Sequence, residues 1–291
     1  MIGRANIAGG KASRRLQEDR ALTERPAEEG DARSPLVGMV KPTKLGIMSY
    51  GDLLAMLPPD IRTSVRYAPI VHGAMEEFAG AIPAYSGLVA ELAAEGADLI
   101  HVEGTPPFLI LGYAGERKLV ERWEKDFRTP IFTSAQCQVN ALHALGVRRL
   151  VDAGYDPTTG PQAERYFRDA GFDVLAVEKI PVDWGTAGYI DDEEVFAMLA
   201  SLVRRHPGAD GLCLQGSSKF RLSGVIARLE EELGVAVVHP LAARYWELMA
   251  RLGRIGAKPG LGRLLATMPR HPLVRSAHAD RLTLGNCPSE G

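Results

Sequence analysis

The chain has 291 residues, enough for one or two domains with a real core. Hydrophobic residues make up 46% and charged residues 24%, with a formal net charge of −2, which places it with soluble globular proteins and excludes a nucleic-acid surface built on a concentrated basic patch. Cys137, Cys213 and Cys287 show no paired spacing, which excludes a disulfide framework or a cysteine metal motif and points to a reducing compartment.

Residues 1 to about 40 are dominated by Ala, Gly, Arg, Glu and Asp and contain no aromatic residue. Such a stretch offers too little apolar area to offset its ordering entropy, so a disordered tail is expected over 1–40. Met39 is an alternative start to Met1, and truncation there is expected to leave stability unchanged. The N-terminus lacks the apolar segment of a signal peptide, and no apolar run approaches the ~20 residues that span a membrane. A cytoplasmic location, without membrane or nucleic-acid partners, is the expectation.

From Lys44 a βα alternation begins. Leu45–Met48 reads as a short buried strand, Tyr85–Ala94 as a helix, Leu99–Val102 as a strand and Glu116–Phe127 as a helix charged on one side. Ile131-Phe132 is a strand, followed by a helix over Gln136–Leu145. The second half opens on a strand at Arg149–Val151 and a helix over Gln162–Ala170. A strand at Val174–Val177 and a helix at Asp192–Arg205 follow, then a strand at Leu212–Leu214 and a helix at Leu222–Leu233. A strand at Val235–Val238 and a helix at Ala242–Leu252 complete the series. Short apolar strands alternating with longer helices predict parallel sheets. Arg148-Arg149 and Arg204-Arg205 fall at expected loops and helix ends, as solvated charges do. After Met268 the composition turns to His, Arg, Pro and Gly, and 269–291 reads as a loose tail.

The chain repeats itself. Gly96-Ala97-Asp98 leads through an apolar strand to Glu103-Gly104-Thr105, and Gly208-Ala209-Asp210 leads likewise to Gln215-Gly216-Ser217-Ser218. The offset is constant at 112, from 96 to 208 and from 104 to 216. This predicts two pseudo-symmetric, doubly wound α/β domains, one over 44–145 with 242–268 and one over 146–241, with the site between them. Ligands of open parallel sheets bind beyond the carboxyl ends of strands. Gly104 and Gly216 let backbone approach a ligand, and Thr105, Ser217 and Ser218 add hydroxyl donors. Either loop alone also reads as an ordinary βα turn.

Further candidates stand at strand ends. Tyr155 can donate to an oxyanion or simply pack. Ser49 and Tyr50 occupy the pseudo-equivalent turn of the first half. His239 before Pro240 reads either as a ligand-facing imidazole or as a satisfied structural histidine. Cys213 lies inside a strand and reads as a small buried hydrophobe. Cys137 near a helix start is a candidate reactive thiol, although its flanks carry no charge. Lys219 reads as a solvated loop lysine, or as a shifted one if buried. No Walker loop, dinucleotide fingerprint or metal-ligand cluster is present, so neither a metal nor another cofactor is expected.

From Lys44 to Met268 the chain resembles the aspartate/glutamate racemase superfamily, in its arylmalonate decarboxylase and maleate isomerase branch. The carrying motifs are Leu45–Met48, Gly104-Thr105, Ala144–Arg149, Ala153-Gly154-Tyr155, Ala209-Asp210-Gly211, Leu233–Val238 and Gly256–Leu264. The resemblance implies cofactor-free chemistry on a small dicarboxylate or arylmalonate-like acid, as a lyase or isomerase. An enediolate would be held in an oxyanion pocket, with Thr105 and Tyr155 as donors and Ser217 as a further catalytic candidate. It also implies a thiol in one or both loops, at the positions of Gly104 and Gly216, and both are glycine here. Pro106 stands where a second hydroxyl donor is common. Ser217, Ser218, Lys219, His239 and Tyr155 are then the candidates for proton transfer. The rival expectation is a carboxylate-binding protein without turnover; a structural homo-oligomer is a third alternative.

Overall fold

The computed structural model describes residues 34–43, 47–71, 74–154, 160–180, 189–215, 220–254 and 256–274. Strands β1 (Leu36–Lys41), β2 (Arg62–Tyr67), β3 (Leu99–Val102) and β4 (Ile131–Thr133) form one sheet in the order β2-β1-β3-β4. Strands β5 (Arg149–Gly154), β6 (Asp173–Lys179), β7 (Gly211–Leu214) and β8 (Ala236–Val238) form a second, in the order β6-β5-β7-β8. The pairings of β1 with β2 and β3, and of β5 with β6 and β7, are parallel. Both sheets thus wind outward in two directions from a central pair, as the repeat predicts. β3 and β7 are themselves 112 residues apart, from Leu99 to Gly211.

The flanking helices are α1 (Ile47–Met56), α2 (Met75–Ala79), α3 (Ile82–Ala94), α4 (Thr105–Leu111), α5 (Tyr113–Phe127) and α6 (Ser134–Ala144). After them come α7 (Gly160–Asp169), α8 (Asp192–Arg205), α9 (Gly224–Leu233), α10 (Pro240–Arg251) and α11 (Arg263–Thr267). Local chemistry fixes their ends. Asp191 caps α8 by accepting from the Glu193 and Glu194 amides. Acids fill that helix's first turn, and Arg204 and Arg205 its last, as its dipole favours. Ser223 caps α9, which Gly234 ends in the left-handed conformation at φ 69°. None of the described helices is long and apolar enough to cross a membrane.

The chain clusters into two compact units, one of residues 1–104 with 118–132 and one of 105–117 with 133–291. The division read from the repeat, 44–145 with 242–268 against 146–241, follows the strands. Packing divides the chain differently: α6 packs on α10 and also meets β7 and β8. Val37, Met39, Val40, Ile100 and Val102 are wholly buried in the first sheet, and Val151, Ala153, Leu212 and Leu214 in the second.

Three expectations need correction. The first strand is Leu36–Lys41, whereas Ile47 and Met48 open α1 and Lys44, Leu45 and Gly46 lie outside the described residues. The tail over 1–40 therefore ends too late: all six residues of β1 are buried, and Met39 lies at 0% exposure in a central strand. A near-continuous apolar run is what a strand covered on both faces requires, and here it starts directly after Ser34-Pro35, inside the stretch read as the tail. The loose tail over 269–291 begins too early. Pro269 accepts from the Trp246 indole at 3.0 Å, and His271 is buried on Glu247 at 2.8 Å.

Candidate functional site

In the first unit the order β2-β1-β3-β4 reverses between β1 and β3, which makes their carboxyl ends the switch point where open α/β sheets hold ligands. β1 ends on Lys41, and β3 runs into Glu103 and Gly104. Lys41 Nζ lies 3.2 Å from Glu103 Oε2, with the two side chains 2% and 12% exposed. The backbone aims both groups: the Glu103 amide donates to the Val40 carbonyl, and the Lys41 carbonyl accepts from Ala68. The ammonium also stands 5.0 Å from the centre of the Tyr50 ring, whose hydroxyl donates to Thr63 at 3.2 Å.

Gly104 follows with φ +104°, where only glycine is at ease. A Cβ there would lie 2.9 Å from the Tyr85 hydroxyl and 3.4 Å from Pro42 Cβ and Cγ. Burial, seconded by the Glu103 carboxylate, pushes the Tyr85 phenol far above its ordinary range. A side chain at position 104 is therefore strained by backbone and crowded by neighbours together.

In the second unit the switch point lies between β5 and β7. Asp152 on β5 is 1% exposed, and burial pushes its carboxyl up to about 7 against the pull of hydrogen bonds from Gln215 and Cys213. Gln215 Nε2 donates to Asp152 Oδ1 at 3.0 Å and to Gln138 Oε1 at 3.3 Å, while Gln138 Nε2 donates to the Leu214 carbonyl at 2.9 Å. These groups brace the strand end that leads into residues 216–219.

A second buried carboxyl stands in the same unit. Glu116 at the start of α5 accepts short hydrogen bonds from the Thr133 and Tyr166 hydroxyls. Its burial pushes it up to about 7, the two donors opposing. Thr133 is at the same time the cap of α6, accepting from the Gln136 amide.

The expected site residues fall into three groups. Gly104 and Tyr50 stand at the first switch point, and Thr105 opens α4 directly after it. Tyr155, Gly216, Ser217, Ser218 and Lys219 lie outside the described residues, as does the side chain of Ser49. His239 is wholly buried and caps α10, its Nδ1 accepting from Leu241 at 3.1 Å while Nε2 donates to the Phe220 carbonyl at 2.9 Å. That is the geometry of the structural alternative for this residue.

Neither described thiol is activated. Cys137 donates to the Ser134 carbonyl inside α6, and Cys213 fills β7; burial is the first cause that raises both thiols well above the ordinary value. No group of three or more His, Cys, Asp or Glu among the described residues could hold a metal ion.

Sequence reasoning missed Lys41, Glu103 and Asp152 as site candidates. Each carried a signal: a charge ending or interrupting an apolar strand run, in Leu36–Lys41, Leu99–Glu103 and Leu150–Ala153.

These two sheets define a doubly wound α/β protein built on a duplicated half. Residues 38–265 match the arylmalonate decarboxylase family, and the chain belongs to it. It is similar to the arylmalonate decarboxylase of Bordetella bronchiseptica, 24% identical over 237 residues that cover 80% of this chain and 97% of that protein. Among solved structures, unliganded arylmalonate decarboxylase superposes with a TM-score of 0.68 at 21% identity, covering 80% of this chain and 99% of that one. The maleate isomerase Iso of Pseudomonas putida S16 gives 0.66 at 20%, with the same 80% and 99% covered. The Nocardia farcinica maleate cis-trans isomerase bound to TRIS gives 0.66 at 18%, covering 80% and 98%.

Proposed function

We propose that the chain is a cofactor-independent decarboxylase or isomerase acting on a small dicarboxylate or arylmalonate-like acid. The observation that carries this reading is the Gly104-Thr105 turn at the β1–β3 switch point, inside the segment that matches the decarboxylase family. In the decarboxylation branch the bond from Cα to one carboxyl group breaks, carbon dioxide leaves, and the bond's electron pair enters an enediolate on the remaining carboxylate. Hydroxyl and amide donors aimed at that developing charge lower the barrier, because they are in place before the charge forms. Thr105, Tyr155 and Ser217 are the donors assigned to it.

Removing one such donor typically costs on the order of 10²–10³ in rate. Thr105→Ala and Tyr155→Phe are each expected to lower turnover of phenylmalonate or maleate by about that factor. Full activity in both variants refutes the oxyanion assignment.

A second reading, a carboxylate-binding protein without turnover, is favoured by one fact. Positions 104 and 216 are glycine, and both described cysteines are buried with raised thiols. A thermal-shift series of mono- and dicarboxylates with product analysis separates the two, since ligand stabilises the fold in both cases but product forms in only one.

A further inference from the structure

The decarboxylase reading leaves a proton without a carrier, and the first switch point contains one. We propose that Lys41 delivers the proton to the enediolate carbon, with Glu103 as the positioning residue that holds its ammonium in place and charged. This inference rests on the decarboxylase reading.

Three observations lead to it. Position 104 carries no side-chain acid and disfavours one, because its φ is +104° and a Cβ would meet the Tyr85 hydroxyl at 2.9 Å. The residues that flank that position in space are the ones that carry charge. Pro42, which approaches position 104 to 3.4 Å, directly follows Lys41, and Glu103 directly precedes Gly104. Lastly, the Lys41–Glu103 pair is almost wholly buried. Two desolvated charges are a poor source of stability, since hydrophobic residues of similar volume often do as well or better. An ion pair kept at a strand-end switch point therefore points to chemistry rather than to packing.

The step balances. Carbon dioxide departs and leaves its bonding pair in the enediolate. That pair forms the new C–H bond with a proton from the Lys41 ammonium, which becomes a neutral amine and regains a proton from water. The net change is one dicarboxylate and one proton converted to one monocarboxylate and carbon dioxide. Titratable groups near the pair include Tyr50 from α1 and Tyr85 from α3; Tyr67 is the backbone register partner of Lys41 on β2, and buried His101 stands two residues before Glu103 on β3.

The decisive variant is Lys41→Arg, assayed on the full chain with phenylmalonate. Arginine keeps the positive charge but holds its proton too tightly to donate it. Binding, read by thermal shift, is expected to stay within about threefold, while turnover falls on the order of 10²–10⁴, the range for a lost general acid. Product formed by wild type in deuterated water should carry one deuterium at Cα. Glu103→Gln supplies a second readout that does not need arginine to fit. Without the counter-charge the ammonium gives up its proton at lower pH, so the alkaline fall in kcat should move to lower pH while the enzyme remains active below it. Arginine turning over within tenfold of wild type, or a Glu103→Gln profile that does not move, overturns the proposal. Absence of any wild-type turnover of phenylmalonate or maleate is a different result. It refutes the parent reading, and this one with it.

Discussion

The two sheets share a strand order yet fill their switch points with opposite chemistry. Register makes the comparison residue by residue. Val40 pairs with Val102 in the first sheet as Ala153 pairs with Leu214 in the second, so Lys41 corresponds to Gly154 and Glu103 to Gln215. The first unit places a lysine against an acid. The second has no side chain at the lysine position, and its amide turns to Asp152 instead. There a Cβ on Gly154 would lie 3.3 Å from Gln215 Cβ and 3.5 Å from its Cγ, so the Gln215 stem crowds that position. A duplicated scaffold has thus kept its backbone and divided its electrostatics. One end holds a formal charge pair, and the other a carboxyl that burial keeps protonated to about neutral pH.

The largest expected effect tests how much of the first unit depends on its central strand. Starting the chain at Met39 deletes Leu36, Val37 and Gly38 from β1 and removes their pairing with both β2 and β3. The first sheet should no longer fold, and the cooperative unfolding transition should be lost or split. A truncated chain with unchanged thermal stability would show that the strand contributes nothing. Next in size is the ion pair itself. Lys41→Met leaves the Glu103 carboxylate largely buried without its counter-charge and should cost about 3–5 kcal/mol by denaturant unfolding. Lys41→Met with Glu103→Leu should recover most of that. The coupling in the double-mutant cycle is the measurement, and additive losses would mean that the pair is not energetically linked.

Most of the strands and long helices were legible in the sequence because their apolar periods are clean, as in Leu99–Val102 and Asp192–Arg205. The elements that were missed share a cause. β1 is a short run whose boundary, Ser34-Pro35, lies within a stretch read as one polar tail. β2, Arg62–Tyr67, alternates weakly and carries Arg62 and Arg66, whose charges are met by the Ser34 carbonyl and by Glu91 and Glu95. Those partners lie about 28 residues away in chain, beyond any local pattern. At the site, Gly104 was readable from the repeat, and the closure of that position was not, because Tyr85 and Pro42 reach it from other segments. His239 shows the converse. Its strand-end position suggested a ligand, and only the hydrogen bonds to Leu241 and Phe220 reveal a cap.

The second unit's buried carboxyls give its stability a pH signature. Asp152 and Glu116 both hold their protons to about pH 7 in the folded protein, against ordinary values of 3.8 and 4.5. Between those limits the folded state binds more protons than the unfolded chain, so their contribution to stability falls as pH rises. At about 1.4 kcal/mol per unit the loss is roughly 4 kcal/mol for Asp152 and roughly 3 kcal/mol for Glu116. Below about pH 3 both states are protonated and the contribution is constant. Asp152→Asn removes one titration and should flatten the pH dependence of unfolding between pH 5 and 7 relative to wild type. Glu116→Gln should do the same independently. Parallel curves for wild type and both variants would show that these carboxyls ionise normally.

The smallest effect concerns what closes position 104. Gly104→Ala combines two penalties, a left-handed backbone at φ +104° and a Cβ placed 2.9 Å from the Tyr85 hydroxyl. Together they should cost about 1–3 kcal/mol. The two parts separate in the double variant, because Tyr85→Phe removes the oxygen and leaves the backbone strain. Gly104→Ala is therefore expected to be less damaging in the Tyr85→Phe background than in wild type, by a fraction of its total cost. An equal loss in both backgrounds assigns the whole restriction to the backbone. In that case the left-handed backbone alone disfavours any L-residue at this turn, a thiol included.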